Sequence, residues 1–269
     1  MHPIIFDAPP IHLFGLTIDL PPIYSFGLMM AIAFMAASAI TGSELNRKGY
    51  DGEAASNLVV WAAVGGILGA RLWNIAEDWT KFTSDPMGSL FSGSGFTFYG
   101  GLFGGIIAVR YGMMRNNLPW GPTADSAAPG IALAHAIGRV GCQLAGDGDW
   151  GRETTVPWGM AYPEAIVGWP HPPGVVVHPT PIYEMIAYTA IFGLLWRLRT
   201  RNPPTGTIFW LYLALSGAAR FLVEFLRVNP RVGLGLSEAQ FVSLGLMIAG
   251  IIRLSQLHAQ AVPARHRPA

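Results

Sequence analysis

TIFWLYLALSGAARFLVEFLR, Thr207 to Arg227, is predominantly apolar and carries no charge except Arg220, Glu224 and the closing Arg227. A run of about 17 to 25 predominantly apolar residues is long enough to cross a bilayer as a helix. Thr207 to Leu226 therefore reads as a transmembrane helix. On such a helix Arg220, Glu224 and Arg227 fall at i, i+4 and i+7 and share one face. The stretch thus poses a chemical question along with the fold: why does a membrane helix carry a charged stripe?

Six further windows of the same kind lie at Ile23 to Ile40, Asn57 to Ile75, Thr97 to Met114, Thr123 to Leu144, Ile182 to Leu198 and Ala239 to Leu257. The chain is 51% apolar and 12% charged, roughly half the charge of an average soluble domain. The expectation is an all-α integral membrane protein with seven transmembrane helices and a periplasmic loop or head region, built as a single polytopic domain over residues 1–269. The fourth window is rich in Ala and Gly and contains Asp125, His135 and Arg139, so a buried soluble helix is its rival reading. The N-terminus lacks a basic start and its first apolar run follows Pro21 and Pro22, so no cleavable signal peptide is expected. A single cysteine excludes an intrachain disulfide framework and a Cys-based metal cage. His171 and His178 sit in a Pro-rich loop without metal-ligand spacing, so no metal or cofactor is expected. A net charge of +1 gives no footprint for nucleic acid, which leaves the lipid bilayer as the first partner.

Seven spans divide the cations unevenly. Ten of them (Arg47, Lys48, Arg110, Arg115, Arg197, Arg199, Arg201, Arg253, Arg265 and Arg267) fall on one side, and four (Lys81, Arg152, Arg227 and Arg231) on the other. The positive-inside rule then places the C-terminus in the cytoplasm and the N-terminus outside. The two longest connections, residues 77–96 and 145–181, become extracytoplasmic loops. Three cations remain at membrane depth: Arg71, Arg139 and Arg220.

An arginine at the bilayer centre costs roughly 2.5 to 3.5 kcal/mol on insertion scales, so such residues face a protein interior or cavity and find a partner. Simple pairing, Arg220 with Glu224 or Arg71 with Glu77, is one account. A shared anion is the other, since Glu224 alone does not neutralise three cations. An anion that enters from lipid is most economically a phospholipid headgroup, whose phosphate fits the guanidinium fork. FYGGLFGG, Phe98 to Gly105, and GGILGARLWN, Gly65 to Asn74, place glycines in the same region. They allow either close helix packing or backbone access to a ligand.

HPTPIYE (His178 to Glu184), FYGGLFGG, AIGRVGCQLAGDGDWGR (Ala136 to Arg152), GAARFLVEFLR (Gly217 to Arg227) and PPIYSFGLMM (Pro21 to Met30) together resemble the prolipoprotein diacylglyceryl transferase family, from about Ile18 to Ile252. The resemblance implies a seven-helix enzyme of the bacterial inner membrane, with its N-terminus outside. Such enzymes move the diacylglyceryl group of phosphatidylglycerol to the cysteine of a prolipoprotein signal peptide, form a thioether and release glycerol phosphate. It makes Arg139 and Arg220 the central functional residues, where fixed cations meet the charge that builds on the departing phosphate. It also implies substrate contacts from Arg71, Gly100, Gly101, Gly138, Gly141, Cys142, Asp147, Asp149, Gly151, Tyr183, Glu184, Glu224 and Arg227.

The chain departs from the family pattern at three places. Tyr99 stands where a histidine, a proposed base, is common; Phe26 replaces a frequent tyrosine and Cys142 a frequent asparagine. Tyr99 is expected to bind substrate or orient a water. His135, one turn before Arg139, is the alternative proton acceptor, with a structural role as the competing reading. A covalent role for the lone thiol of Cys142 is disfavoured, because the reacting thiol comes from the substrate. Asp147 and Asp149, in a Gly-rich turn, are expected to cap helix ends or pair with Arg152; the resemblance offers the alternative that one of them holds Arg139 in place or meets the substrate peptide. Tyr183 and Glu184 are both first-turn residues behind Pro179 and Pro181 and motif positions. Two other functions stay open on the residues: a relative that serves another acceptor, and a non-catalytic phospholipid-binding protein.

Overall fold

The computed structural model describes residues 1–7, 9, 11–13, 16–18, 22–91 and 97–265. Pro21, Arg267 and residues 92–96 of the first long connection lie outside the described residues. The chain is mostly helical. In order come four short strands, β1 (Ile4–Phe6), β2 (Ile11–Leu13), β3 (Leu16–Ile18) and β4 (Ile23–Tyr24), then helices α1 (Ser25–Arg47) and α2 (Ala54–Glu77). Two six-residue helices, α3 (Trp79–Ser84) and α4 (Pro86–Phe91), follow, and then α5 (Phe98–Arg115), α6 (Trp120–Ala145), α7 (Thr180–Leu198) and α8 (Thr207–Val223). A hairpin of β5 (Arg231–Gly233) and β6 (Leu236–Ser237) leads into α9 (Glu238–Arg265).

All seven apolar windows lie on helices, with adjustments at their ends. Ile23 and Tyr24 pair as a strand with β1 and do not begin α1. Four helical stretches, Ser25–Arg47, Ala54–Glu77, Thr207–Leu226 and Glu238–Gln260, are long and apolar enough to cross a membrane. The remaining three long helices are diluted by glycine and charge: Arg110 in α5, Asp125 and Arg139 in α6, Glu184 and Arg197 in α7. The first long connection is not a plain loop, since α3 and α4 fold within it.

Contacts group the chain into two compact units, Met1–Ala37 with Ala127–Ala269, and Ser38–Ser126. In the second unit, α2 and α5 cross at their glycines. A Cβ on Gly69 would stand 2.3 Å from the Gly100 carbonyl oxygen, and one on Gly104 2.3 Å from that of Gly65. No side chain fits at Gly65, Gly69, Gly100 or Gly104, so close packing requires glycine there, whereas a Cβ on Gly66, Gly101 or Gly105 would make only ordinary contacts. Thr97, just before α5, donates through Oγ1 to the Ala70 carbonyl at 3.2 Å and fixes the start of α5 beside Arg71.

In the first unit the core is a three-helix seam. Ala128, Ala132 and Ala136 recur every fourth residue on α6 and pack against Tyr188, Ile191 and Leu195 of α7 and Ile208 and Tyr212 of α8. Alanine on that face leaves room for the Tyr188 and Tyr212 side chains. The connection from Gly146 to Pro179 is a compact lobe around Trp150, Tyr162 and Val177, joined by Met1 and Trp169. Tyr162 donates to the Gln143 side chain on α6 at 2.9 Å and ties that lobe to the helix.

Candidate active site

Six charged side chains of the first unit close into a ring of alternating sign. Arg139, near the end of α6, places Nε 2.5 Å from Glu184 Oε2. Glu184, in the second turn of α7, offers its other oxygen to Arg220 Nη1 on α8, also at 2.5 Å. Arg220 Nη2 meets Glu224 Oε2 at 2.9 Å. Glu224 Oε2 lies 3.6 Å from Arg227 Nε. Arg227 and Arg139 then both bind the carboxylate of Asp149, which completes the circuit.

Three guanidiniums and three carboxylates leave the ring neutral. Glu224 alone does not suffice: the counter-charges of Arg139, Arg220 and Arg227 come from Asp149 and Glu184 as well. Each carboxylate touches two cations, so no desolvated charge is left uncompensated, the condition under which burying ions is tolerable. Glu184 and Glu224 are fully buried, whereas the Arg139 and Arg220 side chains each remain 21% exposed. Among the described residues Arg139 Nη2 and Arg220 Nε take no protein partner, so each cation keeps a donor for something else.

Local structure explains the placement. α8 ends at Val223, Glu224–Leu226 tightens into a 3-10 turn, and Arg227 continues in an extended conformation. The expected stripe of Arg220, Glu224 and Arg227 on one helical face is therefore broken after Glu224. Pro230 two residues on from Val228 disfavours further helix, and Arg227 swings toward Asp149. Gly151 brings that aspartate in: its N–H donates to the His178 carbonyl at 2.8 Å, and a Cβ there would lie 2.5 Å from the Leu226 carbonyl oxygen. Arg152 N–H donates to Leu226 at 2.8 Å and its side chain to the Phe225 carbonyl, so it does not pair with Asp149. Of the two readings of Asp149, holding Arg139 is the one observed. Burial pushes the Asp149 carboxyl up, but the hydrogen bond and charge of Arg227 and the charge of Arg139 outweigh it and hold it below the usual range.

Other sequence-predicted residues sit around this ring. Gly141 lets α1 pass, since a Cβ on it would lie 3.0 Å from Met29 Cβ and 3.5 Å from Phe26; Gly138 faces open space. Asp147 accepts from the Asp149 N–H at 3.2 Å and shapes the turn. Cys142 Sγ accepts from Arg139 Nη1 at 3.6 Å. Cys142, Asp147 and Asp149 bring ligand atoms within 4.8 Å of one another, a grouping that spacing in the sequence did not suggest. The guanidiniums already on Asp149 and the thiol make it an arginine site first. Tyr183 accepts from Trp158 Nε1 at 2.7 Å and lies 3.1 Å from His178 Nδ1. His135 Nδ1 lies 3.0 Å from the Tyr212 hydroxyl, with the Tyr188 ring 4.5 Å away.

Arg71, Tyr99, Gly100 and Gly101 belong to the other unit, where Arg71 is buried on α2 and Tyr99 is half-buried in the first turn of α5. Residues that sequence reasoning missed include Asn229 and Ser237, each of which donates to Glu224 Oε1 at 2.7 Å. An Asn-Pro pair ending a charged helix was the available signal.

The family profile described as prolipoprotein diacylglyceryl transferase matches residues 14–255. The chain belongs to that family. A phosphatidylglycerol–prolipoprotein diacylglyceryl transferase of Clostridium tetani is 34% identical over 253 residues, covering 93% of this chain and 96% of the relative. Proteins of the same name from Clostridium perfringens, numbered 2 there, and Pseudoalteromonas atlantica are 33% and 31% identical over 83% and 93% of this chain and 87% and 86% of theirs.

Proposed function

We propose that the chain transfers the diacylglyceryl group of phosphatidylglycerol to the cysteine thiol of a prolipoprotein signal peptide. The observation that carries this reading is Glu184 spanning Arg139 and Arg220 at 2.5 Å on each side while both cations stay partly exposed. A buried carboxylate thereby fixes the separation of two guanidiniums that still have donors to offer. A phosphate set against them is held by charge and by one donor nitrogen from each guanidinium.

The reaction forms a C–S bond at the glycerol carbon as the C–O bond to phosphate breaks. The electron pair leaves on the phosphate oxygen as glycerol phosphate, and the thiol proton passes to a base or water. Negative charge gathers where Arg139 and Arg220 already point, so no reorganisation is needed at that moment. Arg227, Glu224 and Asp149 keep the two arginines in register.

His135 is an acceptor only in the tautomer whose Nδ1–H donates to Tyr212, because that leaves Nε2 unprotonated. Tyr99 and Arg71 are assigned to substrate binding, with Gly100 and Gly101 at the same helix start. The same reading sets seven spans in the bacterial inner membrane, the N-terminus outside, the C-terminus in the cytoplasm, and residues 77–96 and 145–181 on the outer side. Relatives that all bear the transferase name weigh against both another acceptor and a non-catalytic lipid-binding role.

The test is reconstitution in phosphatidylglycerol vesicles with a signal peptide that bears the acceptor cysteine. A peptide mass increased by one diacylglyceryl group, matched by released glycerol phosphate, is expected. Unmodified peptide with folded, inserted protein would refute the assignment.

A further inference from the structure

The connection between α8 and α9 has its polarity reversed relative to a soluble loop. Two of its polar side chains turn inward, since Asn229 and Ser237 donate to Glu224, while Arg231, exposed on β5, still donates through Nη1 to Gln240 Oε1 at 2.6 Å. Its apolar side chains turn outward: Val228, Val232 and Leu234 are exposed, Leu234 to 93%. Leu234 sits at the turn of the β5–β6 hairpin with φ of 50°, followed by Gly235 at 71°. Two successive left-handed residues call for Asn-Gly or Gly-Gly, both polar or small. A leucine there is unfavourable for the backbone and, in water, for solubility.

The hairpin's place in the fold says what covers it. It joins Thr207–Leu226 to Glu238–Gln260, two of the stretches long and apolar enough to cross a membrane, so it lies where the chain leaves and re-enters the apolar layer. Exposed Phe225, Phe241 and Val242 on the adjoining helical segments continue the same apolar surface up to the hairpin. Its base is held by the Ser237 N–H donating to Gln240 Oε1 at 3.0 Å, so the tip is presented in a fixed direction.

We propose that the tip of the β5–β6 hairpin, Val232 and Leu234, seats in the headgroup layer of the adjoining leaflet. Apolar side chains at that depth leave water, while the strands' polar base stays with the protein. Because the base grips Glu224, which pairs with Arg220, the contact sets the depth of the ring relative to the phosphates of the surrounding lipid. The inference rests on the membrane-enzyme reading for its setting, but its test does not use activity.

The experiment places a nitroxide on Leu234→Cys in the full chain, reconstituted in vesicles of phosphatidylglycerol and phosphatidylethanolamine. Wild type carried through the same labelling corrects for the buried Cys142. A label on Glu164→Cys, an exposed acidic position in the lobe, serves as the aqueous reference. Power saturation is expected to show position 234 favouring oxygen over a water-soluble nickel chelate, with the order reversed at 164. Equal, water-like accessibility at both positions would overturn the proposal. Transfer to a signal peptide, assayed on unlabelled wild type, reports separately on the proposed reaction: an inactive protein with a lipid-seated label would refute the function and leave the anchor standing.

Discussion

Glu184 and Arg220, thirty-six residues apart in the chain, meet at 2.5 Å, and the second oxygen of the same carboxylate holds Arg139 at the same distance. One buried acid on α7 thus sets the spacing of two cations on α6 and α8. Replacement of Glu184 by Gln should release that spacing and leave a surplus of buried positive charge. Breaking a buried ion pair from one side costs about 3 to 5 kcal/mol. We expect a lower thermal midpoint in detergent and loss of transfer. A Glu184→Gln protein of unchanged stability and turnover would show that the ring is ornamental.

Arg139 and Arg220 each engage two carboxylates through different nitrogens. Lysine supplies one point charge and no fork. Arg139→Lys and Arg220→Lys are therefore expected to insert normally and to lose turnover by on the order of 10² to 10³-fold, the usual effect of removing a donor from a site of developing charge. Turnover within a factor of two of wild type in either variant would remove that arginine from the phosphate site.

Tyr99 lies in the first turn of α5, close in sequence to the Thr97 to Ala70 hydrogen bond. If its hydroxyl positions substrate, Tyr99→Phe should cost about 0.5 to 1.5 kcal/mol in kcat/KM, the net value of one neutral hydrogen bond. Tyr99→His, which restores the commoner residue of the family pattern, should be tolerated. A drop above about a hundredfold in Tyr99→Phe, with lipid binding intact, belongs to a lost general base and would reassign the residue.

Asp149 stands outside the helices, and Arg227 and Arg139 outweigh its burial to hold its carboxyl below the usual range. A group whose folded pKa is depressed contributes stability that is complete above its unfolded value, about 3.9 for Asp, and is lost as pH falls through the folded value. The thermal midpoint should therefore decline on acidification below that point. Asp149→Asn should flatten this acid step while lowering the midpoint near neutrality. An acid limb identical in wild type and Asp149→Asn would mean that another group governs it.

Apolar run length alone placed all seven long helices, because the cost of exposing or burying a side chain is a local property that accumulates along a stretch. The same reasoning identified Arg139 and Arg220 as cations in need of partners, and the Gly-Arg-x-Gly segment and its companions carried the family. What the periodicity of one helix does not encode is contact across helices. Asp149 and Arg227 are 78 residues apart, and only the strap through Gly151, Leu226 and His178 brings them together. The stripe inferred for Arg220, Glu224 and Arg227 assumed an unbroken helix, whereas capture of Glu224 by Asn229 and Ser237 accompanies a 3-10 turn that redirects Arg227. The glycines of α2 and α5 permit packing and ligand access equally in the sequence; the structure requires the absent side chain for packing at Gly65, Gly69, Gly100 and Gly104, and not at Gly66, Gly101 and Gly105. Sequence determined which charges had to be answered within an apolar interior; the packing of α6, α7 and α8 decided which carboxylates answer them, since an ion pair depends on distance through space and not along the chain.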